Sequence, residues 1–279
     1  MNKIFSLFIL FFFSCNGFAS SYSWVETLPK PWTLSEDEFE TFLPQFLSRY
    51  PNYLNRLKAL NIWRLNTPYG LYCLGEESGQ DKDPIIRNDS SDCTVHVLTT
   101  MAFAESSSYL EAKKVMRNIH YKKNKDGKSS ATYESRWHFT SDRLLNNPHT
   151  PDITSSIAND DYLETVRIEL NKKKNGQPFL NLNWTSKEEI KYISIEKLDR
   201  QLLNKLPEVC GIAFVKKSYF KLGLVIAHEG FLVDKRTFFH ASSEYNKTVA
   251  VDLMSYLKNE DNYRFDGLMF YKLNKSSEN

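Results

Sequence analysis

The chain has 279 residues, of which 41% are hydrophobic and 25% are charged, which is enough for one large domain or two small ones. Its 36 basic and 34 acidic residues give a formal net charge of +2. This balance excludes the strong positive charge typical of nucleic-acid-binding proteins, and we expect no nucleic-acid partner.

The N-terminus, MNKIFSLFILFFFSCNGFAS, has the features of a secretory signal peptide. The basic residue Lys3 precedes an apolar stretch over 4–13, which is too short to span a bilayer. Small residues then stand at the −3 and −1 positions of a cleavage site after Ala19. We therefore predict a signal peptide over 1–19 and an exported protein, either periplasmic or secreted.

Lipid attachment at Cys15 is a less favoured alternative. The sequence FFSC is a poor lipoprotein signal because Phe12 occupies the position where leucine is preferred. No later segment is long and apolar enough to span a membrane, so we expect a mature protein without a stable membrane span.

Helices are predicted in the first half of the chain. Ser35, with Glu38 three residues later, predicts a helix start. The apolar residues that follow predict two short helices, broken near Pro44 and Pro51. Residues 66–92 are rich in Gly, Pro, Asp and Ser and are typical of a loop.

Another helix is predicted to begin at Cys93, with Asp92 as its N-cap. The sequence CTVHVLTTMAFAES places apolar residues on one broad face. YLEAKKVMRNI predicts a second amphipathic helix, and residues 135–147 predict a less regular third one. The region 150–207 is mixed, with short strands expected near 166–170 and 178–182.

From Val209 the pattern changes to short β-branched and aromatic segments, among them CGIAFVKK, LGLVIAHEGFLV and DGLMFYKL. They predict an antiparallel meander. Helices followed by strands indicate an α+β fold. We predict a single domain over 20–279, with the following parts: a helical part over 35–150, a mixed insertion over 150–207 and an antiparallel sheet over 209–273.

Two histidines flank a predicted turn in AHEGFLVDKRTFFHAS. If Asp234 is the centre of the hairpin loop, His228 and His240 are direct cross-strand neighbours on one face. Two adjacent imidazoles suit a relay in which one ring orients the other, a metal site, or two half-buried core histidines. A metal site would need further ligands such as Cys93 or His96. The chain lacks CxxC and HxxxH spacing, so we expect no metal.

Three cysteines lie beyond the predicted signal peptide, so an oxidising compartment would leave one thiol free. Cys93 is in the first turn of its helix, where backbone N–H groups and the helix dipole are expected to lower a thiol pKa. A thiolate, a histidine base and a polar group that orients the base form the arrangement of a cysteine hydrolase.

The motifs TPY, DC at a helix start, HEG and HAS resemble those of the NlpC-type, papain-like bacterial cell-wall cysteine peptidases. YCLGEESG, DCTVHV, SRWHF and HASS are similar to their secreted N-acetylmuramoyl-L-alanine amidase-like branch, once labelled xylanase-like. The similarity extends from about Leu65 to Tyr271. It implies an NlpC-like core in which the nucleophile is Cys93, the base is His228 and the orienting residue is His240.

The same resemblance implies a substrate-binding set around the nucleophile. Its members are Tyr69, Asp92, Thr94, Arg136 and His138. Asp92 matches a position that binds the stem peptide in related peptidases. The chain departs from the usual motifs at five positions, which puts the specificity pocket in doubt: Thr94 for Ser, Val95 for Gly, Leu98 for an acidic residue, Trp137 for Asn and Glu229 for Val.

The resemblance implies an exported, monomeric cysteine amidohydrolase that acts on peptidoglycan or muropeptides without a cofactor. The favoured bond is the amide between the muramic lactyl group and L-Ala, and the alternative is the γ-D-glutamyl–diamino acid bond. Acyl transfer by the same triad and an inert wall-binding protein are further alternatives. A glycosidase would need two carboxylates about 5–10 Å apart, and no such pair stands out in the sequence.

A catalytic Cys93 would leave Cys73 and Cys210 either to pair in a disulfide or to remain two separate thiols.

Overall fold

The structure is a computed structural model that describes residues 21–259 and 262–276. The predicted signal peptide, its cleavage site and Cys15 lie outside these residues. Within the described ranges, no helix is both long and apolar enough to cross a membrane.

The longest helices lie in the N-terminal half, and all strands of the described residues lie in the C-terminal half, which confirms the predicted α+β class. The helices are α1 Ser23–Glu26, α2 Phe39–Arg49, α3 Tyr53–Trp63, α4 Cys93–Glu105, α5 Tyr109–His120, α6 Thr140–Asn146, α7 Thr154–Ile157, α8 Arg200–Asn204 and α9 Leu253–Leu257. Short 3-10 turns lie at Pro31–Thr33, Tyr133–Ser135, Asp160–Tyr162, Ile195–Lys197 and Lys217–Leu222.

The strands are β1 Leu163–Leu170, β2 Ser186–Ser194, β3 Val209–Val215, β4 Ile226–Val233, β5 Thr237–Ser242, β6 Lys247–Asp252, β7 Lys258–Asn259, β8 Asn262–Tyr263 and β9 Gly267–Tyr271. In the described part of the chain, seven of them form one antiparallel sheet in the order β1-β2-β9-β3-β4-β5-β6. The last strand, β9, therefore lies between β2 and β3, in the middle of the sheet.

The helical layer differs from the prediction at one proline. Helix α2 continues through Pro44, so the predicted break there is wrong. Proline removes one helical hydrogen bond, but Leu43 and Phe46 on either side of it are fully buried and keep the helix against the core. The break near Pro51 is confirmed, because α3 begins immediately afterwards with Asn52 as its cap.

The second predicted strand of the middle region is misplaced. Residues 178–182 form a loop, and the strand that pairs with β1 is β2. The side chain of Asn171 explains the difference, because it accepts from the Leu180 backbone N–H at 2.7 Å and donates to the Trp184 carbonyl at 2.9 Å. These bonds use backbone groups that a strand would need for its ladder.

Helix α4 lies at the centre of the fold. Every residue from Val95 to Ala104 is buried, so the predicted broad apolar face extends around the whole helix. It contacts α2, α3 and α5 on one side and strands β4 and β5 on the other. The start of this helix, where Cys93 lies, therefore has a fixed position relative to the sheet.

The β4–β5 hairpin has a register two residues away from the predicted one. Val233 pairs with Thr237, so the loop contains three residues centred on Lys235, and His240 aligns with Gly230 instead of His228. A three-residue loop is still odd-numbered, and side chains alternate with a period of two. The two histidines therefore share one face as predicted, in a diagonal instead of a direct relationship.

Candidate active site

An open cleft of about 900 Å³ lies beside the start of α4. It brings together residues of the loop before α4, the segment before α6, and strands β4 and β5. All eight site residues predicted from the sequence line this cleft: Tyr69, Asp92, Cys93, Thr94, Arg136, His138, His228 and His240.

Asp92 is the N-cap of α4, as predicted. Its Oδ1 accepts from the Val95 backbone N–H at 2.9 Å. Its Oδ2 accepts from the Tyr72 backbone N–H at 3.0 Å. One carboxylate therefore starts the helix and also holds the preceding loop against it, which fixes the position of Cys93.

The Cys93 thiol lies where β4 and β5 separate. The ladder between these strands stops at Phe231 and Phe239. Beyond this point, the backbone N–H of Glu229 lies close enough to the thiol to lower its pKa. Helix α4 packs on the opposite face of the sheet from the two histidines, and its first residue lines the same cleft as they do.

The pKa of the Cys93 thiol is raised to about 12, chiefly because burial disfavours the thiolate. The negative charges of Asp92 and Glu229 raise it further, whereas hydrogen bonds from the Glu229 backbone and the Thr94 hydroxyl lower it. The expectation that the helix N-terminus would yield a low thiol pKa is therefore wrong. Desolvation outweighs the helix dipole at this position.

The two histidines are hydrogen-bonded to each other. His228 Nε2 and His240 Nδ1 are 2.8 Å apart, and the rings are nearly perpendicular, at 82°. Aromatic side chains hold both rings. Phe238 stacks on His240 at 4.4 Å, Tyr256 lies 4.7 Å from the same ring, and Phe214 stacks on His228 at 5.8 Å. The pair is therefore fixed in one relative orientation.

Both imidazoles are neutral near pH 7. Burial lowers the pKa of His228 to about 4, and the charge of Glu229 opposes part of this shift. Burial, followed by the neighbouring His228, lowers the pKa of His240 to about 2. The resting site is thus a neutral thiol beside a neutral imidazole pair.

Gly230 makes room for the histidine pair. A β-carbon at this position would lie 2.4 Å from the Phe239 carbonyl oxygen, 2.7 Å from the Phe238 ring and 3.1 Å from His240 Cβ. The glycine of the HEG motif is therefore required by close packing across the strand. The local sequence around Gly230 does not indicate this close packing.

Tyr69 lies near Cys93, where the resemblance places it. Its backbone N–H donates to the Asn246 carbonyl at 3.0 Å, which ties the loop to the segment before β6. The pKa of its phenol is raised by burial and, next, by the nearby Cys93. The phenol therefore faces the thiol end of the cleft.

Arg136 is occupied by protein contacts. Its guanidinium donates to Glu76 Oε1 at 2.6 Å, to Asp81 Oδ2 at 2.9 Å and to the Leu74 carbonyl at 2.9 Å. This residue holds the loop before α4 against the cleft wall. Direct contact of Arg136 with substrate remains a prediction.

His138 is also bonded within the protein. Its Nε2 lies 2.6 Å from the Tyr133 carbonyl, and burial lowers its pKa to about 4. It therefore contributes a neutral ring to the cleft wall, and its predicted role in substrate binding remains untested.

One buried carboxylate, Glu229, was missed as a site residue. It is fully buried on the helix side of β4 and contacts Thr94, Thr140, Arg143 and Tyr271. The sequence carried one signal of this role. An acidic residue stands in an otherwise apolar strand, at a position where the related peptidases have valine.

The two remaining thiols are not paired. Cys73 and Cys210 are both free, so the disulfide alternative is wrong for the described residues. Cys210 is buried within β3, whereas Cys73 lines the cleft and donates to the Leu71 carbonyl at 3.3 Å. Their positions on different parts of the fold explain the absence of a bond.

His96, considered as a metal ligand, lies inside the core. Its Nε2 is 3.0 Å from Asn61 Oδ1. Among the residues that the structure describes, no group of three or more His, Cys, Asp or Glu side chains could hold a metal ion.

Comparisons with known proteins agree with this architecture. A protein of Legionella pneumophila has 21% identity and a TM-score of 0.67, and the alignment covers 88% of this chain and 99% of that one. An N-acetylmuramoyl-L-alanine amidase from Bacteroides uniformis has 24% identity and a TM-score of 0.60, over 80% of this chain and 99% of that one. The TM-scores show that the three proteins share a fold.

No curated protein matches the chain significantly. The sequence profile of the N-acetylmuramoyl-L-alanine amidase-like family matches residues 62–264, which is most of the chain and includes Cys93, His228 and His240. The chain belongs to this N-acetylmuramoyl-L-alanine amidase-like family.

Proposed function

We propose that the protein is an exported cysteine amidohydrolase that cleaves the amide between the muramic lactyl group of peptidoglycan and L-Ala. The observation that carries the proposal is the 2.8 Å contact between His228 and His240 in the cleft that Cys93 also lines. A nucleophile at a helix start and a base oriented by a third residue resemble the papain-like arrangement. The family match supports a peptidoglycan amide as the substrate.

The contact between the two rings limits the tautomers that can work. His228 Nε2 is used by His240, so His228 Nδ1 is the nitrogen that can take the thiol proton. For Nδ1 to be a base, Nε2 must carry the ring proton and donate it to His240 Nδ1. His240 then carries its own proton on Nε2, and its role is to select the tautomer of His228.

The reaction would follow in two stages. Cys93 Sγ attacks the lactyl carbonyl carbon while His228 takes the thiol proton and then delivers it to the departing L-Ala nitrogen. A thioester with the lactyl group remains. His228 next takes a proton from water, the resulting hydroxide attacks the thioester, and the thiol and a lactyl carboxylate are released. The Cys93 backbone N–H, at the start of α4, would stabilise the oxyanion.

The high thiol pKa affects the timing of proton transfer. A resting thiolate–imidazolium pair is disfavoured because burial opposes both charges. Deprotonation of Cys93 is therefore expected to accompany attack on the bound substrate.

The contacts of Asp92 are compatible with either bond. Each Asp92 oxygen accepts one backbone hydrogen bond, and a carboxylate oxygen has two lone pairs, so Asp92 retains capacity to accept from a free stem-peptide amine. The choice of the lactyl–L-Ala amide is supported instead by the match to the N-acetylmuramoyl-L-alanine amidase-like family.

The cleft offers little support for a glycosidase. Among its described lining residues, the carboxylates are Asp81, Asp92 and Glu244. Asp81 pairs with Arg136, Asp92 caps α4, and Glu244 pairs with Arg264 at 3.1 Å. None of them is placed as the paired acid and nucleophile that glycoside hydrolysis requires.

Purified peptidoglycan incubated with the mature protein tests the proposal, with Cys93→Ala as the inactive control. Mass spectrometry should show free stem peptides that begin with L-Ala and glycan strands without peptide. Release of L-Ala-D-Glu dipeptides would support the endopeptidase instead. New reducing-end sugars from both proteins, or no product from either, would contradict the proposed function.

A further inference from the structure

Glu229 directly follows His228 in strand β4, and its side chain is fully buried on the opposite face of the sheet. Its Oε1 accepts from Thr94 Oγ1 at 3.0 Å and from Thr140 Oγ1 at 3.2 Å. Its Oε2 accepts from the Tyr271 hydroxyl at 2.7 Å and from the Arg143 guanidinium. A buried carboxylate with this many donors is satisfied only while all its neighbours keep their positions.

These donors come from separate elements of the fold. Thr94 is the second residue of α4, Thr140 and Arg143 belong to α6, and Tyr271 ends β9. One side chain therefore joins the nucleophile helix, the wall helix of the cleft and the central strand to β4. The backbone N–H of the same Glu229 also contacts the Cys93 thiol.

We propose that Glu229 is a positioning residue, whose carboxylate fixes the helix that carries Cys93 against the strand that carries His228 through the Thr94 hydroxyl. The inference rests on the proposed function, since it assumes that Cys93 and His228 act as nucleophile and base. The alternative is that Glu229 only neutralises the buried Arg143 and stabilises the fold.

Glu229 and Thr94 shift the pKa of the Cys93 thiol in opposite directions. The negative charge of Glu229 raises the pKa of the Cys93 thiol, and the Thr94 hydroxyl lowers it. Removing the charge should therefore increase the thiolate fraction, and removing the hydroxyl should decrease it. If Glu229 and Thr94 only stabilised the fold, the two substitutions would not change the thiolate fraction of Cys93 in opposite directions.

The test is the rate of Cys93 alkylation by iodoacetamide at pH 8, measured on the isolated Cys93 peptide so that Cys73 and Cys210 do not contribute. Glu229→Gln should react several-fold faster than the wild type, and Thr94→Val several-fold slower. Thr140→Val is the matched control, because Thr140 donates to the same carboxylate oxygen from a helix without the nucleophile. Its rate should equal that of the wild type.

Glu229→Gln leaves Arg143 buried without its counter-ion, which destabilises the folded state. If this variant does not fold, the alkylation rates of the two threonine variants test the proposal. Equal alkylation rates for Thr94→Val and Thr140→Val would overturn the proposal, as would rates that change in the same direction for Thr94→Val and Glu229→Gln.

A kinetic measurement separates positioning from substrate contact. Thr94→Val should lower kcat by about tenfold or more with little change in KM, because a displaced nucleophile affects the transition state more than binding. A higher KM with unchanged kcat would instead make Thr94 a substrate-binding residue and contradict the proposal. The alkylation rates need no peptidoglycan turnover, so a wild type that releases no stem peptide would refute only the proposed function.

Discussion

At the residue scale, the hydrogen bond between His228 and His240 gives the two rings different roles. His228 Nε2 and His240 Nδ1 share one proton, and the ring of His240 is almost fully buried between Phe238 and Tyr256. His228 is the ring with a second nitrogen available for chemistry at the cleft. The two residues should therefore respond differently to substitution.

His228→Ala should abolish turnover, because His228 is the base that accepts the thiol proton in the proposed mechanism. His240→Asn and His240→Gln retain a group that can accept from His228 Nε2, so each should keep a measurable part of kcat, about 1–10%. The measurement is stem-peptide release at saturating peptidoglycan, with thermal unfolding as a check on folding. If His240→Asn were inactive while His228→Asn retained activity, the roles of base and orienting residue would be reversed.

At the element scale, the loop before α4 is held by a buried ion-pair cluster. Arg136 joins Glu76, Asp81 and the Leu74 carbonyl, and the Tyr121 hydroxyl donates to the Gly75 carbonyl at 2.7 Å. This loop forms one wall of the cleft and contains Cys73 and Leu74 among its lining residues. The shape of this wall of the cleft thus depends on the ion pairs of Arg136.

Arg136→Met should release this wall and destabilise the protein by about 3 kcal/mol, because Glu76 is left buried without its partner. The expected result is faster backbone hydrogen exchange over residues 74–83, together with a higher KM. Arg87→Met is the matched control, since Arg87 pairs with Asp89 in the same loop through side chains that are partly exposed. Its effect should stay within about 0.5 kcal/mol. Unchanged exchange in Arg136→Met would show that the ion pairs do not hold the loop.

At the scale of the whole molecule, the histidines share one electrostatic property. All six have lowered pKa values, with burial as the first cause in each case. The unfolded chain, with ordinary histidine pKa values, binds more protons below about pH 6.5 than the folded protein. Stability should therefore fall as the pH falls through this range.

Between pH 7.5 and 5.5, each fully buried neutral histidine should remove about 1.4 kcal/mol from the free energy of unfolding. Three buried histidines have strongly lowered pKa values: His96, His120 and His240. Together they should reduce the free energy of unfolding by about 4 kcal/mol over this pH range. Urea unfolding at the two pH values measures this difference. His120→Gln should reduce it by about 1.4 kcal/mol, and a wild-type stability that is constant from pH 7.5 to 5.5 would contradict the assignment.

Local sequence signals were sufficient to predict several parts of the site. An aspartate before a run of apolar residues determines a helix start, so Asp92 places Cys93 in the first turn whatever the rest of the fold does. Residues an even number apart on two strands joined by an odd-numbered loop share one face, so His228 and His240 could be paired without a structure. The change from helical to alternating patterns near Val209 indicated the α+β class.

Only the tertiary structure decided the properties that depend on neighbours distant in sequence. The hairpin register was two residues away from the prediction, because the three-residue turn is centred on Lys235 instead of Asp234, and Gly230 lies against Phe238 and His240. The pKa of Cys93 depends on desolvation by surrounding elements, which outweighs the local helix dipole that the sequence indicates. The network around Glu229 is built from α4, α6 and β9, whose residues no local pattern brings together. Burial and charge pairing depend on all the atoms around a residue. These atoms come together only when the chain folds.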